Sequence, residues 1–368
     1  MKIGILTHYD VSNQGAQLQM YALSHKLMEL DNDVSVLTYN KNYDFYPDQK
    51  KRNQISLNSI PYIFKHFVFE KGIGLTWHNT KKYLKNKKFR EKNFSLQNYS
   101  TGDIDCAVVG SDEVFSIEFG ANMMMYGHCV NTNYVFSYAA AFGQTDVELL
   151  AKYHCTELVR SGLEKMFSIA VRDEKSADTV LKLTGKKPEI VCDPVLLYDF
   201  SNTHAEYKPI KKPYLVVYAY DKNMNDPEEI KAIRAYAKEN DLLIVSPGTY
   251  HKWCDVNIAC DCLQWIEYMR NAQAIITDTF HGTILSIITN RPMAIKVRNI
   301  NTNKLNALIN EFQLNERKVE HFDADALKRI FSQNVNFELV NSIWEDKQRK
   351  GEEYIKNTLN MIRQENEA

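Results

Sequence analysis

Apolar and polar positions follow one another along this chain in a recurring order. KIGILTHY, at residues 2–9, is a short β-branched run that reads as a buried strand. The polar turn DVSNQG follows. Then AQLQMYALSHKLMEL places Leu18, Tyr21, Ala22, Leu27 and Leu30 close to helical spacing, and DVSVLTY reads as a second strand. A strand–helix–strand opening predicts a parallel sheet. DCAVVGS, NYVFSYAAA, FSIAVRD and EIVCD continue as short apolar strands ending in small or polar residues. EKSADTVLKLTG reads as a helix between two of them, with Gly185 as its C-terminal stop.

At residues 207–213 the text becomes YKPIKKP, whose prolines and lysines mark a linker. The α/β pattern then restarts. PYLVVYAY is a strand, PEEIKAIRAYAKEND a helix with Pro227 in its first turn, and DLLIVSPG a strand. CLQWIEYMRNA is a helix, QAIITD a strand and GTILSIITN a helix, with RPMAIKV as the last strand. The prediction is an α/β protein of two halves with a hinge, residues 1–205 and 206–335. From Asn336 to the end a long helical pattern is expected to cross back onto the first half. Residues 41–94 break the pattern with NTKKYLKNKKFREKNF and similar text, which reads as a solvated helical insertion. The sharper alternative is a basic surface facing an anionic acceptor or a membrane.

Size agrees with two domains: the chain has 368 residues and 44% hydrophobic residues. Charge is balanced, 45 Lys+Arg against 46 Asp+Glu, so it argues neither for nor against nucleic acid, and no nucleic-acid partner is expected. The start MKIGILTHYD lacks a signal-peptide pattern, and no stretch approaches the roughly 20 apolar residues of a membrane span. The expectation is a cytoplasmic protein, with peripheral contact at the inner membrane face as the most it would make. Seven cysteines, an odd number spread through the chain, read as reduced thiols.

In open α/β sheets ligands bind beyond the carboxyl ends of the strands. The polar residues there are His8, Asn13, Gln14 and Gly15, then Ser111, Asp112 and Glu113. Next come Arg172 and Asp173, Asp193 and Pro194, and finally Asp278, His281, Gly282 and Thr283. A cleft between the halves would bring them together. In TDTFHGTILS, Gly282 and Thr283 would begin a helix whose free N–H groups favour an anion, with His281 beside it as hydrogen-bond donor or general acid; the plainer reading is a turn cap. Arg172 closes an apolar strand and needs a counter-charge. Either Asp173 supplies it, or Arg172 clamps a carboxylate or phosphate. Asp112 is either the N-cap of the next helix or a base for a hydroxyl. NQGAQLQ lacks the spacings of dinucleotide and P-loop sites. Cys254, Cys260 and Cys262 near His251 lack a CxxC pair, so no metal is expected, and Asp261 reads as a helix cap.

Taken together, the N-x-G-x-x-L-Q opening, GSDEVF, S-x-A-V-R-D, VCDPVLL and D-[ST]-F-H-G-T resemble the polysaccharide pyruvyl transferase family over most of the chain. The resemblance implies a glycosyltransferase-B-like fold, two Rossmann-like parallel-sheet domains facing a cleft, with the acceptor on the first and the donor phosphate on the second. It implies transfer of the pyruvate unit of phosphoenolpyruvate to hydroxyls of a sugar, in a surface polysaccharide or its precursor, as a ketal. Phosphoenolpyruvate is then a co-substrate and no cofactor is implied; the acceptor is lipid-linked, free or polymeric. By the same resemblance Arg172 and His281 contact the donor, assisted by Gly282 and Thr283. Asp112 orients or activates the acceptor, and His281 is the acid, with His8 as second candidate. Asn13, Gly15 and Ser111 complete the substrate-binding set. Glu113 and Phe115 stand where the family commonly has Gln and Trp. The competing readings are a nucleotide-sugar glycosyltransferase, with Asp221 and Asp226 as candidate readers of its ribose, and a non-catalytic protein keeping the fold.

Overall fold

The computed structural model of the protein describes residues 1–41, 72–120, 122–220, 222–298 and 302–367. The chain divides into two compact units. Unit 1 is Met1–Ile60, Arg90–Tyr198 and Asp346–Ala368; unit 2 is Pro61–Phe89 and Asp199–Glu345. The change of unit between Tyr198 and Asp199 falls a few residues before the linker expected near 207–213.

Unit 1 is built on a parallel five-stranded sheet in the order β3-β2-β1-β4-β5. The strands are β1 (Lys2–Leu6), β2 (Asp33–Thr38), β3 (Ser95–Asn98), β4 (Cys106–Val109) and β5 (Val135–Ser137). Ile3 pairs with Val34 on one side and Cys106 on the other. The central strands are apolar throughout because both faces are covered, and alternate residues serve opposite cores. Leu6, Ala107 and Val109 face a core that includes Leu150, Val159 and Leu163. Ile3, Ile5, Cys106 and Val108 face one that includes Leu23 and Leu27 of the helix Gln14–Glu29, and Tyr354, Ile355, Leu359 and Ile362. Those last four belong to the C-terminal helix Phe337–Glu367, which enters unit 1 from Asp346 onward. The pair β6 (Ala170–Val171) and β7 (Glu189–Ile190) extends the same layering, since isolated parallel bridges join Phe136 to Ser168 and Ala140 to Val171.

Unit 2 repeats the plan with a parallel six-stranded sheet, β10-β9-β8-β11-β12-β13. Its strands are β8 (Tyr214–Tyr218), β9 (Leu243–Pro247), β10 (Val256–Ile258), β11 (Ala274–Thr277), β12 (Met293–Lys296) and β13 (Lys318–Val319). Its core includes Leu215, Val217, Ile233, Ala237, Ile276, Ala294, Leu327 and Ile330. Both sheets therefore have Rossmann-like order, which reverses between β1 and β4 and between β8 and β11. Ligands of such sheets bind at these switch points.

Several local readings hold. Asp226 and Pro227 open the helix Pro227–Glu239, Gly185 ends Glu174–Thr184 in the left-handed region, and Asp261 with Gln264 forms a capping box on Cys262–Arg270. One reading is corrected: RPMAIKV is not the last strand. β13 follows it, only two residues long and without an apolar run to announce it. Of the 41–94 insertion, residues 73–93 form a helix; residues 42–71 lie outside the described residues.

Candidate functional site

Beside the switch point of unit 1, backbone pairing sets the ends of β4, β5, β6 and β7 side by side. Asp112 is bridged to Ala140, and Ala140 to Val171. Arg172 N–H donates to Ala140 O at 3.1 Å, and Val191 N–H to Val171 O at 2.9 Å. Strands lie about 4.8 Å apart, so an arginine after β6 reaches the ends of its neighbours. Arg172 Nη1 lies 3.1 Å from Asp193 Oδ2, after β7, and 3.5 Å from Asp112 Oδ1, after β4. The Arg172 side chain is 6% exposed and Asp193 1%, whereas Asp112 is 23% exposed. Burial works against the Arg172 charge, but Asp112 and then Asp193 outweigh it, and its pKa is raised.

Both plainer readings made from the sequence are corrected here. The close partners of Arg172 are Asp193 and Asp112, and Asp173 adds a smaller charge–charge attraction. Asp173 caps Glu174–Thr184, accepting from Ser176 N–H. Nor is Asp112 a helix N-cap: it has φ 74 and is held by Val114 and Ala141 N–H groups donating to its carbonyl. Gly110 before it has φ 145, and a Cβ there would lie 1.9 Å from Tyr138 O, so the GSD turn admits no larger residue at that place.

The cluster extends to the start of the chain. Gln19 Nε2 donates to Asp193 Oδ2 at 2.6 Å, and Asp193 Oδ1 accepts from Val195 N–H at 3.0 Å. Gln19 ends the N-x-G-x-x-L-Q segment, so that segment and VCDP meet in one hydrogen bond. Asn13 Oδ1 accepts from Gly15 N–H at 2.9 Å; the two residues begin the helix that carries Gln19. His8 lies 3.3 Å (Nε2) from Glu113 O and 3.4 Å (Nδ1) from Tyr39 Oη. Burial lowers its pKa, with Asp112 opposing, so the imidazole is neutral at pH 7. Ser111 is buried, and its Oγ has no hydrogen-bond partner among the described residues.

In unit 2 the turn after β11 carries Asp278, Thr279 and His281. The helix spans Phe280–Ile288 and is capped by Thr279, whose Oγ1 accepts from Gly282 N–H at 2.9 Å. Thr283 N–H donates to Thr279 O at 3.1 Å. This corrects the expectation that Gly282 and Thr283 offer free N–H groups to an anion: the helix starts earlier and both are used inside it. Gly282 is a packing requirement, since a Cβ there would lie 2.2 Å from Thr277 Oγ1. His281 sits in the first turn, half-buried, its ring edge-on to Phe280 with centroids 5.4 Å apart.

Asp278, fully buried, lies 2.8 Å (Oδ2) from Arg298 Nε just past β12. Burial pushes its pKa up to about 6 and wins over the pull of Arg298. The folded protein therefore holds this proton more tightly than the unfolded chain, whose aspartate titrates near 3.8. Stability falls as pH rises between those values, by up to about 3 kcal/mol. Melting curves from pH 4 to 7 should show this loss in the wild type and not in Asp278→Asn.

Arg172, Asp112, Ser111 and His8 are thus gathered at one strand-end cluster of unit 1, and His281, Gly282 and Thr283 lie on one turn of unit 2. Asp193 and Asp278 stand in the strand-end set read from the sequence but carry no assigned role there, and Gln19 and Arg298 lie outside it. Arg298 carries the same signal as Arg172, an arginine closing an apolar strand. Asp226 caps a helix through Glu228 and Glu229 N–H groups, and Asp221 lies outside the described residues. Among the described residues no three His, Cys, Asp or Glu side chains converge as metal ligands. No described helix is long and apolar enough to cross a membrane.

A family model described as polysaccharide pyruvyl transferase matches residues 13–295. No curated protein matches the chain. Among solved structures, the glycosyltransferase SnogD from Streptomyces nogalater is similar with a TM-score of 0.50 at 11% identity, covering 98% of this chain and 99% of that one. The S. aureus MnaA–UDP co-structure gives 0.49 at 13% identity, covering 98% and 97%. UDP-GlcNAc 2-epimerase from Neisseria meningitidis bound to UDP-GlcNAc gives 0.48 at 12%, covering 98% and 100%. At such identity the likeness to SnogD shows the fold alone, which is glycosyltransferase-B-like.

Proposed function

The chain belongs to the polysaccharide pyruvyl transferase family, and on that premise we propose that it moves the pyruvate unit of phosphoenolpyruvate onto hydroxyls of a sugar as a ketal. One observation carries this reading. The GSD, SIAVRD, VCDP and N-x-G-x-x-L-Q segments, far apart in sequence, converge on a single polar cluster at a switch point. We read this group of buried charges at the carboxyl ends of the strands as a site.

The donor carries a phosphate and a carboxylate, whereas Arg172 is already balanced by two carboxylates. We therefore assign Arg172 to positioning Asp112, and the donor anion to His281 and its turn. In the reaction, an acid adds a proton to the methylene carbon of the donor, and the adjacent carbon becomes oxocarbenium-like. A sugar hydroxyl oxygen bonds to that carbon and gives up its proton, the carbon–phosphate oxygen bond breaks, and phosphate leaves. A second hydroxyl oxygen bonds to the oxocarbenium-like carbon left by phosphate and closes the ketal, its proton passing to the departed phosphate. His281 is assigned as the acid. Asp112, the most exposed member of its array, takes the hydroxyl proton. The site is assigned no metal or organic cofactor. The acceptor belongs to a surface polysaccharide or its lipid-linked precursor.

Incubation with phosphoenolpyruvate and a panel of saccharides tests this. Phosphate release that depends on the saccharide, with a ketal methyl signal in the product, is expected. Release that is the same with and without saccharide would overturn it.

A further inference from the structure

We propose that the helix Ile73–Asn93 docks the protein on an anionic phospholipid surface. At 3.6 residues per turn, Ile73, Trp77, Lys81, Leu84 and Lys88 fall within roughly one quarter of the helix circumference. Ile73 is 77% exposed, Trp77 61% and Leu84 57%. Large side chains on a helix normally mark its buried stripe; here they mark a face turned to solvent. The opposite side holds the helix in unit 2. His78 is buried with its ring 5.6 Å from that of Tyr250, Lys82 Nζ donates to Gly248 O at 3.1 Å, and a Cβ on Gly74 would lie 2.4 Å from Tyr250 Oη.

Charge sets the kind of partner. The helix holds six lysines and one arginine against one glutamate, a formal charge of +6, in a chain whose net charge is −1. Lys81, Lys85, Lys87, Lys88 and Lys92 are exposed, and Lys81 Nζ lies 4.8 Å from the centre of the Trp77 ring. An anionic bilayer takes both halves of this surface. The apolar residues enter the boundary between headgroups and acyl chains, tryptophan lies at that level, and lysines extend to the phosphates. A nucleic acid would use the lysines and leave Ile73, Trp77 and Leu84 in water. A second copy of the chain would bring like charge against like. Docking is independent of the reaction proposed above.

The test is co-sedimentation of the full chain with phosphatidylcholine vesicles and with vesicles that also contain phosphatidylglycerol, at low and high salt. The wild type should bind the anionic vesicles and not the neutral ones, and salt should weaken binding several-fold. Lys81→Glu/Lys88→Glu and Trp77→Ala/Leu84→Ser should each lower partitioning by roughly tenfold. Both change exposed positions and should keep the wild-type melting temperature. The proposal is overturned if the wild type ignores anionic vesicles, or if the apolar double variant binds them as the wild type does. It is also overturned if a DNA duplex binds equally well and with the same dependence on the two variants.

Discussion

Arg172→Ala should lower the stability of unit 1 by about 3–5 kcal/mol, the usual cost of removing one partner of a buried ion pair. The reason is the company it leaves. Asp193 is almost wholly buried, and without the guanidinium its carboxylate keeps hydrogen bonds such as those from Gln19 Nε2 and Val195 N–H but no neutralising charge from Arg172. Asp112 loses the group 3.5 Å away that orients it. The deficit should shrink as pH falls, because protonation removes the uncompensated carboxylate charges. Denaturant unfolding at pH 7 and pH 5 checks both points. A variant within 1 kcal/mol of wild type at pH 7, a surface-pair value, would mean that the three charges do not form a buried array. The same physics governs how binding data are read: loss of ligand binding in Arg172→Ala would reflect a collapsed array as readily as a lost contact.

Ending the chain at Glu345 should have the larger effect. The deleted segment supplies Tyr354, Ile355, Leu359 and Ile362 to the core against Ile3, Ile5, Cys106 and Val108. Tyr354 Oη also donates to Ser137 O and Ser168 Oγ, both at 2.9 Å. Four buried side chains at roughly 1.5–3 kcal/mol each come to about 6–12 kcal/mol, comparable with the entire stability of a domain. Unit 1 of the truncated chain should lose cooperative unfolding and hydrogen-exchange protection in β1 and β4. Ile355→Ala in the full chain should cost about 2–4 kcal/mol. Retained protection in the truncated protein would show that the C-terminal helix is an accessory and not part of the core.

Much of the architecture was legible because it is written in local chemistry. A strand such as KIGIL, covered on both faces, must be apolar throughout, and helix ends need residues such as Asp226–Pro227, Asp261 or Gly185. The two-residue β13 carries no such pattern. At the site, positions were legible and partners were not. Residues at strand ends can be placed by the rule for open sheets, but which side chain meets which depends on the sheet. Arg172 was weighed against Asp173, its neighbour in sequence, whereas parallel pairing delivers Asp193. The sequence places Gly282 and Thr283 at the start of the helix that follows the strand. The Thr277–Thr279 pair starts the helix at Phe280 and consumes their N–H groups. Gln19 lies within the N-x-G-x-x-L-Q segment, but its role depends on Asp193, a residue far along the chain.

The most direct test of phosphoenolpyruvate as donor is a thermal-shift titration with it, beside UDP- and CMP-sugars, on the wild type and His281→Ala. A ligand of the native state at about one hundred times its Kd adds about 2.7 kcal/mol, a rise of several degrees for a protein of this size. Phosphoenolpyruvate alone should raise the melting temperature of the wild type, and His281→Ala should lose that rise. Stabilisation by a nucleotide sugar and not by phosphoenolpyruvate would contradict the donor and make the TDTFHG turn a diphosphate site.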